Sequence, residues 1–514
     1  MIKPQVLVSN SITNTVKFLN YRLTNKEKSI KFLKEWLGSF PGISTKISQF
    51  IGDKLEEDSL SSNNGTTIYE IPYEEVLDLI HTQIPQLIGV IKNLDRKAHS
   101  ASVGQVHKLE LKNGVEYAVK IQYPGIAKVI DQQINKLFKF YKFIPFFHKK
   151  NFEAENYRNL FEELLKSEID YVREAKKQKI FFDHFNNHYT RAIVPKIYTA
   201  NCNKTILLQD WVEGISVDSF VLKDKSEKIK AASNLITVFF EMLFGLRCFQ
   251  TDFNFGNISF KLNTAGKFDA IILYDFGATL VLDDNHAAVM WSFLKNVVEE
   301  ETLSPFDYLI SLGFDGSKLK YIAHLLPAVI SLLLEPFSAD RPYKISEWNL
   351  KERLNSILGE DRWWFRAAGP PWFFIFLKAV NGLFMLLEKL NVSINFYQIY
   401  KNFKSRSCYT DKVKVLVKKD QYIQFDVKNY TSKDFSKYLN IKLIENNREK
   451  VDLQMPCRVV DMIEELIPEK YLGIIEEKGI EFSELKRKVQ RSGYVKQILI
   501  EEKYEDQKLK IWIS

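Results

Sequence analysis

The chain carries Phe249-Gln-Thr-Asp-Phe-Asn-Phe-Gly-Asn257 and, a short way on, Leu273-Tyr-Asp-Phe-Gly-Ala278. The first run puts a carboxylate, Asp252, five positions ahead of an amide, Asn257. The second puts another carboxylate, Asp275, at the end of the apolar run Ala270-Ile-Ile-Leu-Tyr274, which has the length and composition of a buried strand. Phosphoryl transfer uses such a set: one carboxylate near the attacking oxygen, and an amide with a second carboxylate to hold the metal that bridges the phosphates. Asp-Phe-Gly alone would say little. Asp-x-x-x-x-Asn just upstream of a strand that ends in Asp-Phe-Gly says much more. The competing reading is a turn rich in Asp and Asn, which favour turns on their own account.

Earlier in the chain lie further parts of such a site. Ala98-His-Ser-Ala-Ser-Val-Gly-Gln-Val-His107 runs into Lys108-Leu-Glu-Leu-Lys-Asn-Gly-Val-Glu-Tyr-Ala-Val-Lys-Ile-Gln122. Strand-like alternation flanks Asn113-Gly114, a strong hairpin signal, and places Lys120 on the returning strand. A lysine inside an apolar strand loses hydration unless a partner neutralises it. That is the setting of a strand lysine that holds α- and β-phosphates. The small residues Ala101, Ser102, Val103 and Gly104, with Gln105, stand where a phosphate-covering loop would lie, although only one of them is Gly. Residues 156–185 read as one long charged helix containing Glu168-Ile-Asp-Tyr-Val-Arg-Glu174. On it Asp170 and Glu174 share a face, Glu168 is turned away, and Glu174 is the expected partner of Lys120. Plain surface charge is the alternative for all three acids. His184 and His188 are one turn apart, a spacing open to a metal, with no third ligand evident.

Length and composition set the frame. The 514 residues have room for two or more domains, and 46% hydrophobic with 26% charged residues is ordinary for a globular chain. With 38 Phe, much of the core should be aromatic. A net charge of +8 allows attraction to phosphates or an anionic membrane and gives no reason to invoke nucleic acid. Cys202, Cys248, Cys408 and Cys457 are scattered, which argues against a disulfide framework or a zinc site and fits a reducing compartment. The N-terminus shows no apolar signal-peptide stretch, and the most apolar window, 321–334, is short and broken by His and Pro. A cytoplasmic protein, with peripheral membrane contact allowed and no spanning helix, is expected.

Elsewhere the reading is coarser. Residues 11–54 look helical up to Pro41-Gly42 and again beyond it; Lys46 and Gln49 are three apart, which on a helix is most simply a solvated pair. A helix is expected over 73–92. Residues 136–150 interleave lysines with aromatics, suiting a core-packed helix with a lysine face or a membrane-surface patch. Strands are expected at 192–198 and 204–209, a linker at Asp210-Trp-Val-Glu-Gly214, and a helix over 226–249. Past Asp-Phe-Gly the chain turns helical within a few residues, with no long segment closed by Ala-Pro-Glu, so a peptide-substrate platform is not expected. Helices should fill most of 285–403. They include the apolar stretch 370–387, whose Lys, Asn and Gly argue for a core helix. Beyond 404, strand-like runs at 413–417, 422–427 and 509–513 mix with helices near 458–466 and 468–477, as in a small α+β appendage.

Together these residues resemble the UbiB/AarF, or ADCK-type, atypical kinase-like family over about residues 39–403. Lys46-Ile-Ser-Gln49 resembles its Lys-x-Gly-Gln motif, with Ser48 in place of Gly. Ala101-Ser-Val-Gly-Gln-Val-His107 matches the end of its Ala-rich loop, with His99 and Ser100 where alanines are usual. Glu168, Asp170 and Glu174 have the spacing of its acidic helix. Asp252, Asn257 and Asp275 match its catalytic and metal-binding positions, with Phe253 and Phe255 where Pro is common. The resemblance implies an α+β, protein-kinase-like two-lobe fold, with a helical extension at 1–95, an N-lobe at 96–212 and a mostly helical C-lobe at 213–404; the small α+β domain at 405–514 lies outside it. It implies an Mg2+-dependent ATPase or phosphotransferase using ATP or ADP. Asp252, Lys120 and Glu174 would be catalytic and Asn257 and Asp275 would hold the metal. Lys46, Gln49, Glu168, Asp170 and the loop 101–105 would lie at the nucleotide. It also implies a tie to isoprenoid-quinone biosynthesis or lipid handling, an isoprenoid lipid or quinone precursor as partner, and poor activity on proteins. Two alternatives stand beside it: a nucleotide-gated lipid-binding or scaffold protein with little turnover, and a small-molecule kinase of the aminoglycoside-phosphotransferase type.

Two hard oxygen ligands, Asn257 and Asp275, suit Mg2+. Nucleotide affinity should therefore depend strongly on divalent cation. Calorimetric titration of ATP in Mg2+ and in EDTA checks this, and equal binding in both would remove the metal from the site.

Overall fold

The computed structural model describes residues 70–101, 103–128, 162–163, 165–186, 191–299, 304–406, 436, 438–446, 448–467, 471–472, 475, 479, 481–492, 494–504 and 507–514. Lys46, Gln49, Ser102, His188 and the runs at 136–150, 413–417 and 422–427 lie outside these residues. The described chain forms two compact units. One holds the residues up to 128, those at 162–179 and those at 195–211; the other holds 180–194 and the residues from Val212 onward.

The first unit is built on an antiparallel sheet under a helix, α1 (Tyr73–Gln83). Its strands are β1 (Ile91–Leu94), β2 (His99–Ser100), β3 (Gly104–Leu111), β4 (Glu116–Gln122) and β5 (Ile206–Asp210), with β1, β3, β4 and β5 adjacent in that order and β2 paired to β3. The hairpin expected at Asn113-Gly114 forms: Glu110 lies opposite Glu116, Leu111 N–H donates to Val115 O, and Gly114 takes φ +83°. Alternating residues of three strands, Leu109, Leu111, Val119, Ile121, Ile206 and Leu208, meet Val76 and Ile80 of α1 in one core. The helix expected over 73–92 is shorter than its pattern. Pro85 disfavours helical angles at Ile84 (φ −131°, ψ 62°), and residues 91–94 join the sheet instead.

The helix expected over 156–185 is interrupted. α2 (Tyr171–Asn186) starts only after a break at Ile169 and Asp170. Asp170 Oδ1 accepts the N–H groups of Val172 (3.1 Å) and Arg173 (3.2 Å), which makes it the N-cap. Gln122 Nε2 holds the other side of the break by donating to Ile169 O at 2.9 Å. Asp170 thus precedes the helix and does not share a helical face with Glu174.

The second unit opens on α3 (Lys225–Phe240), which widens into a π-helical turn at Glu241–Leu246 and stops at Arg247 in the left-handed region (φ 55°). This ends the helix expected over 226–249 early, so that β6 (Cys248–Gln250) can pair with β9 (Thr279–Val281), Gln250 opposite Thr279. Between them β7 (Ile258–Leu262) and β8 (Phe268–Leu273) form an antiparallel ladder with Ile258 opposite Leu273. β8 also pairs in parallel with Ala192–Ile193, and β7 with Ile215–Ser216. The strand expected at 192–198 forms in two pieces: Ala192–Ile193 joins β8, and Ile197 bridges to Gln209 of β5, with Pro195, which lacks a backbone donor, between them. α4 (Asp284–Glu299) and α5 (Pro371–Leu390) belong to the helices that fill most of 284–406. The core here is aromatic, as the Phe count suggests: Phe239, Phe249, Phe253, Phe260 and Phe276 pack with Ala379, Leu383 and Leu386 of α5. Among the described residues one helical stretch, Lys225–Leu246, is long and apolar enough to cross a membrane; its Leu235, Ile236, Val238 and Met242 are buried in this same core.

Near the C-terminus, β10 (Tyr438–Glu445), β11 (Arg448–Pro456), β12 (Gln497–Tyr504) and β13 (Gln507–Ile513) form an antiparallel sheet in the order β11-β10-β13-β12. Its Leu439, Ile441, Leu443 and Ile511 share an apolar cluster with Leu319, Ile322 and Leu326, and the rings of His324 and Tyr494 lie 4.7 Å apart. Both units mix helices with antiparallel sheet, the α+β class that the sequence leads one to expect.

If Asp170 acts as a cap, Asp170→Ala should destabilise the chain by about 1 kcal/mol while Asp170→Asn keeps most of the stability. Denaturant unfolding of the three proteins checks this; equal loss in both variants would rule out the capping role.

Candidate active site

In the first unit the site is built around Lys120. β4 carries it opposite Val106 of β3 and Leu207 of β5, in the middle of the sheet. α2 brings Glu174 to it. Lys120 Nζ donates to both carboxylate oxygens, 2.8 Å to Oε1 and 3.0 Å to Oε2, and lies 4.9 Å from the centre of the Tyr171 ring. Lys120 is 8% exposed and Glu174 1%. Removing either partner from such a pair strands a buried charge, at a cost of about 3–5 kcal/mol.

The small-residue loop closes next to this pair. Ala101 N–H donates to Gly104 O at 2.9 Å, and Val103 O accepts from Tyr123 N–H at 3.0 Å. A Cβ on Gly104 would sit 2.2 Å from Ile121 O, so only glycine lets β3 start this close to β4. The Gln105 side chain, expected at the nucleotide, is committed to the fold. It is buried, accepts from Ile71 N–H at 2.8 Å, donates to Ile71 O at 3.3 Å, and lies 2.8 Å from His107 Nε2. Glu168 is buried as well, just ahead of the Asp170 cap.

In the second unit the loop after β6 holds Asp252 and Asn257. Asn254 folds it: its Oδ1 accepts from the N–H groups of Gly256 (2.9 Å) and Asn257 (3.2 Å), and its own N–H donates to Asp252 O (3.0 Å). Asn257 Nδ2 donates to Asp252 O at 3.0 Å, which fixes the amide and leaves its oxygen as the atom suited to a cation. Tyr274 N–H donates to Asn257 O at 3.2 Å, so Asn257 sits across the ladder from the residue before Asp275. Asp275 Oδ1 accepts from Gly277 N–H at 2.9 Å. Burial holds the proton on the Tyr274 phenol, which donates to Val212 O at 3.1 Å. One amide oxygen and one carboxylate fit Mg2+, which takes few protein ligands and completes its shell with phosphate and water. Among the described residues no three His, Cys, Asp or Glu side chains cluster as a metal site; His184 Nε2 lies 3.3 Å from Glu241 Oε2 instead.

Two residues here escaped the sequence reading. Gln250 Nε2 donates to the backbone carbonyl of Asp275, tying the Asp252 loop to the Asp-Phe-Gly strand end. Nothing in the sequence marks it beyond its place two residues before Asp252. Lys378, on α5, puts its Nζ 3.2 Å from Asp252 Oδ1. The signal for it was present: a lysine in an apolar helix needs a partner, as Lys120 does in its strand.

Residues 67–304 match the ABC1 atypical kinase-like domain family. The chain is 24% identical to "Atypical kinase coq-8, mitochondrial" of Caenorhabditis elegans, over 60% of this chain and 41% of that one. It is 25% identical to "Probable serine/threonine-protein kinase abkA" of Dictyostelium discoideum, over 60% and 57%. It spans about half the length of the curated relatives it matches. Among solved structures, the complex of Rv3197 with erythromycin from Mycobacterium tuberculosis aligns at 15% identity over 78% of this chain and 97% of that one, with a TM-score of 0.49.

Lys120→Met and Glu174→Leu should each lower stability by about 3–5 kcal/mol, and the double variant by clearly less than their sum. Unfolding free energies of the four proteins in a double-mutant cycle check this; strict additivity would mean that the two side chains do not form a pair in solution.

Proposed function

We propose, from the match of residues 67–304 to the ABC1 atypical kinase-like domain family, that this chain binds a magnesium nucleotide and transfers or hydrolyses its terminal phosphoryl group. The buried Lys120–Glu174 pair carries this reading. Well-packed apolar side chains would serve a sheet core at least as well as a buried ion pair. Its presence next to a tight small-residue loop supports an ammonium held ready for phosphate oxygens. On this reading Lys120 binds the phosphates of ATP or ADP, Glu174 orients it, and the backbone of 101–105 covers them. Asn257 and Asp275 hold Mg2+, which when bound neutralises charge on the phosphate oxygens. Asp252 orients the nucleophile, a water or an acceptor hydroxyl, and takes up its proton.

The acceptor belongs to the same proposal. From Asp275 the chain passes through the short strand β9 and reaches α4 at Asp284, which leaves little of it to build a peptide platform. That supports a small acceptor, an isoprenoid lipid or quinone precursor at an anionic membrane surface, over a protein. Lys46 and Gln49 at the nucleotide, and residence in an organelle as in the printed name of the C. elegans relative, are parts of it too.

The test is ATP hydrolysis by the full chain, with and without anionic vesicles and a quinone-precursor mimic. Asp252→Asn should lower turnover by about a hundredfold or more while leaving nucleotide affinity nearly unchanged. A variant that hydrolyses ATP at the parent rate would take Asp252 out of the mechanism. Tight binding by the parent chain without turnover would leave a nucleotide-gated binding protein as the function.

A further inference from the structure

The loop Asp252-Phe-Asn-Phe-Gly-Asn257 contains no cation of its own. A cation that meets Asp252 comes from α5, which lies beyond the residues matched by the ABC1 family. Lys378 Nζ is 3.2 Å from Asp252 Oδ1, with both side chains largely shielded, 22% and 16% exposed. One helical turn on, and so on the same face of α5, Gly382 faces the next residue of the loop. A Cβ there would lie 2.1 Å from Phe253 O and 3.0 Å from Phe253 C. No other residue type lets the helix come this near the loop backbone. Phe376 of α5 closes the contact edge-on against Phe249 at 6.0 Å. The helix therefore rests on the loop by backbone and by charge at once.

We infer that α5 is part of the catalytic apparatus: Lys378 is a positioning residue that fixes the plane of the Asp252 carboxylate, and Gly382 sets the depth from which it does so. An ammonium on one carboxylate oxygen determines where the second oxygen points. This rests on the phosphoryl-transfer reading above, in which Asp252 acts on the nucleophile. It adds that the matched region alone is an incomplete site.

The experiment is steady-state ATP hydrolysis and nucleotide binding by the full chain, for the parent, Lys378→Met, Lys378→Arg and Gly382→Ala, with melting temperatures as the folding control. Lys378→Met should lower kcat by about tenfold or more with nucleotide Kd within about twofold of the parent. Lys378→Arg should recover a substantial part of kcat, because it keeps the charge. Gly382→Ala should lower kcat in the same selective way, by pushing the helix off Phe253. Parent-like kcat in Lys378→Met overturns the inference. So does a loss of kcat matched by equal loss of nucleotide affinity and not relieved by Lys378→Arg, which would mark a merely structural contact. Lys378→Arg decides the matter if Lys378→Met does not fold: kcat as low as that of Asp252→Asn would overturn the inference, and near-parent kcat would support it. A parent chain that never turns nucleotide over removes the phosphoryl-transfer reading and this role together. Parent turnover with an unaffected Lys378→Met removes only the latter.

Discussion

A lysine in the middle of an apolar sheet is the constraint on which the first unit depends. Lys120 cannot keep its charge there without Glu174. Glu174 in turn is in reach only because α2 begins where it does. Asp170 caps that start, and Gln122, two residues past Lys120 on β4, pins the carbonyl of Ile169 just before it. Strand and helix are thus stitched on either side of the ion pair. The acidic cluster that looks like a row of charges in sequence divides into a buried acid, a cap and a counter-ion.

The second unit solves a different problem, that of holding the segments around Asp252 and Asp275 still without a charge pair inside the loop. It uses amides. Asn254 folds the turn, Asn257 binds back to Asp252 O, and Gln250 reaches across to the carbonyl of Asp275. Each satisfies a backbone group that would otherwise be exposed in an irregular segment. The Asp- and Asn-rich turn first set against the catalytic reading is therefore real, and it is compatible with that reading: the turn chemistry holds Asp252 and Asn257 in place.

How far the sequence could be read follows from the range of the interactions. The Asn-Gly hairpin, the strand ending in Asp-Phe-Gly and the Lys120 strand are local patterns, and each forms where its pattern lies. Element ends were harder. Pro85 and the cap at Asp170 cut two helices whose hydrophobic and charge periodicity ran on unbroken, because Asp is at home both in a first turn and at a cap. The Gln105 side chain was hard to read for another reason: a polar residue in a motif looks like a ligand, and only the fold shows that its amide bonds to Ile71. For Lys378 the local sequence signals that a partner is needed but not which one. In the stretch 370–387 its charge served only to argue against a bilayer span, since nothing nearby in sequence names Asp252 as its partner.

Gln105 has a wider consequence. Its carboxamide presents Ile71 with one acceptor and one donor, as a peptide unit of a neighbouring strand would. It is in effect a rung of ladder made by a side chain, and it couples the chain just ahead of α1 mechanically to the strand that carries the small-residue loop. A tug at Ile71 is transmitted straight to β3. Carboxylate in place of amide, equal in shape, would set oxygen against oxygen at Ile71 O and release that tether, leaving the loop no longer clamped at its base.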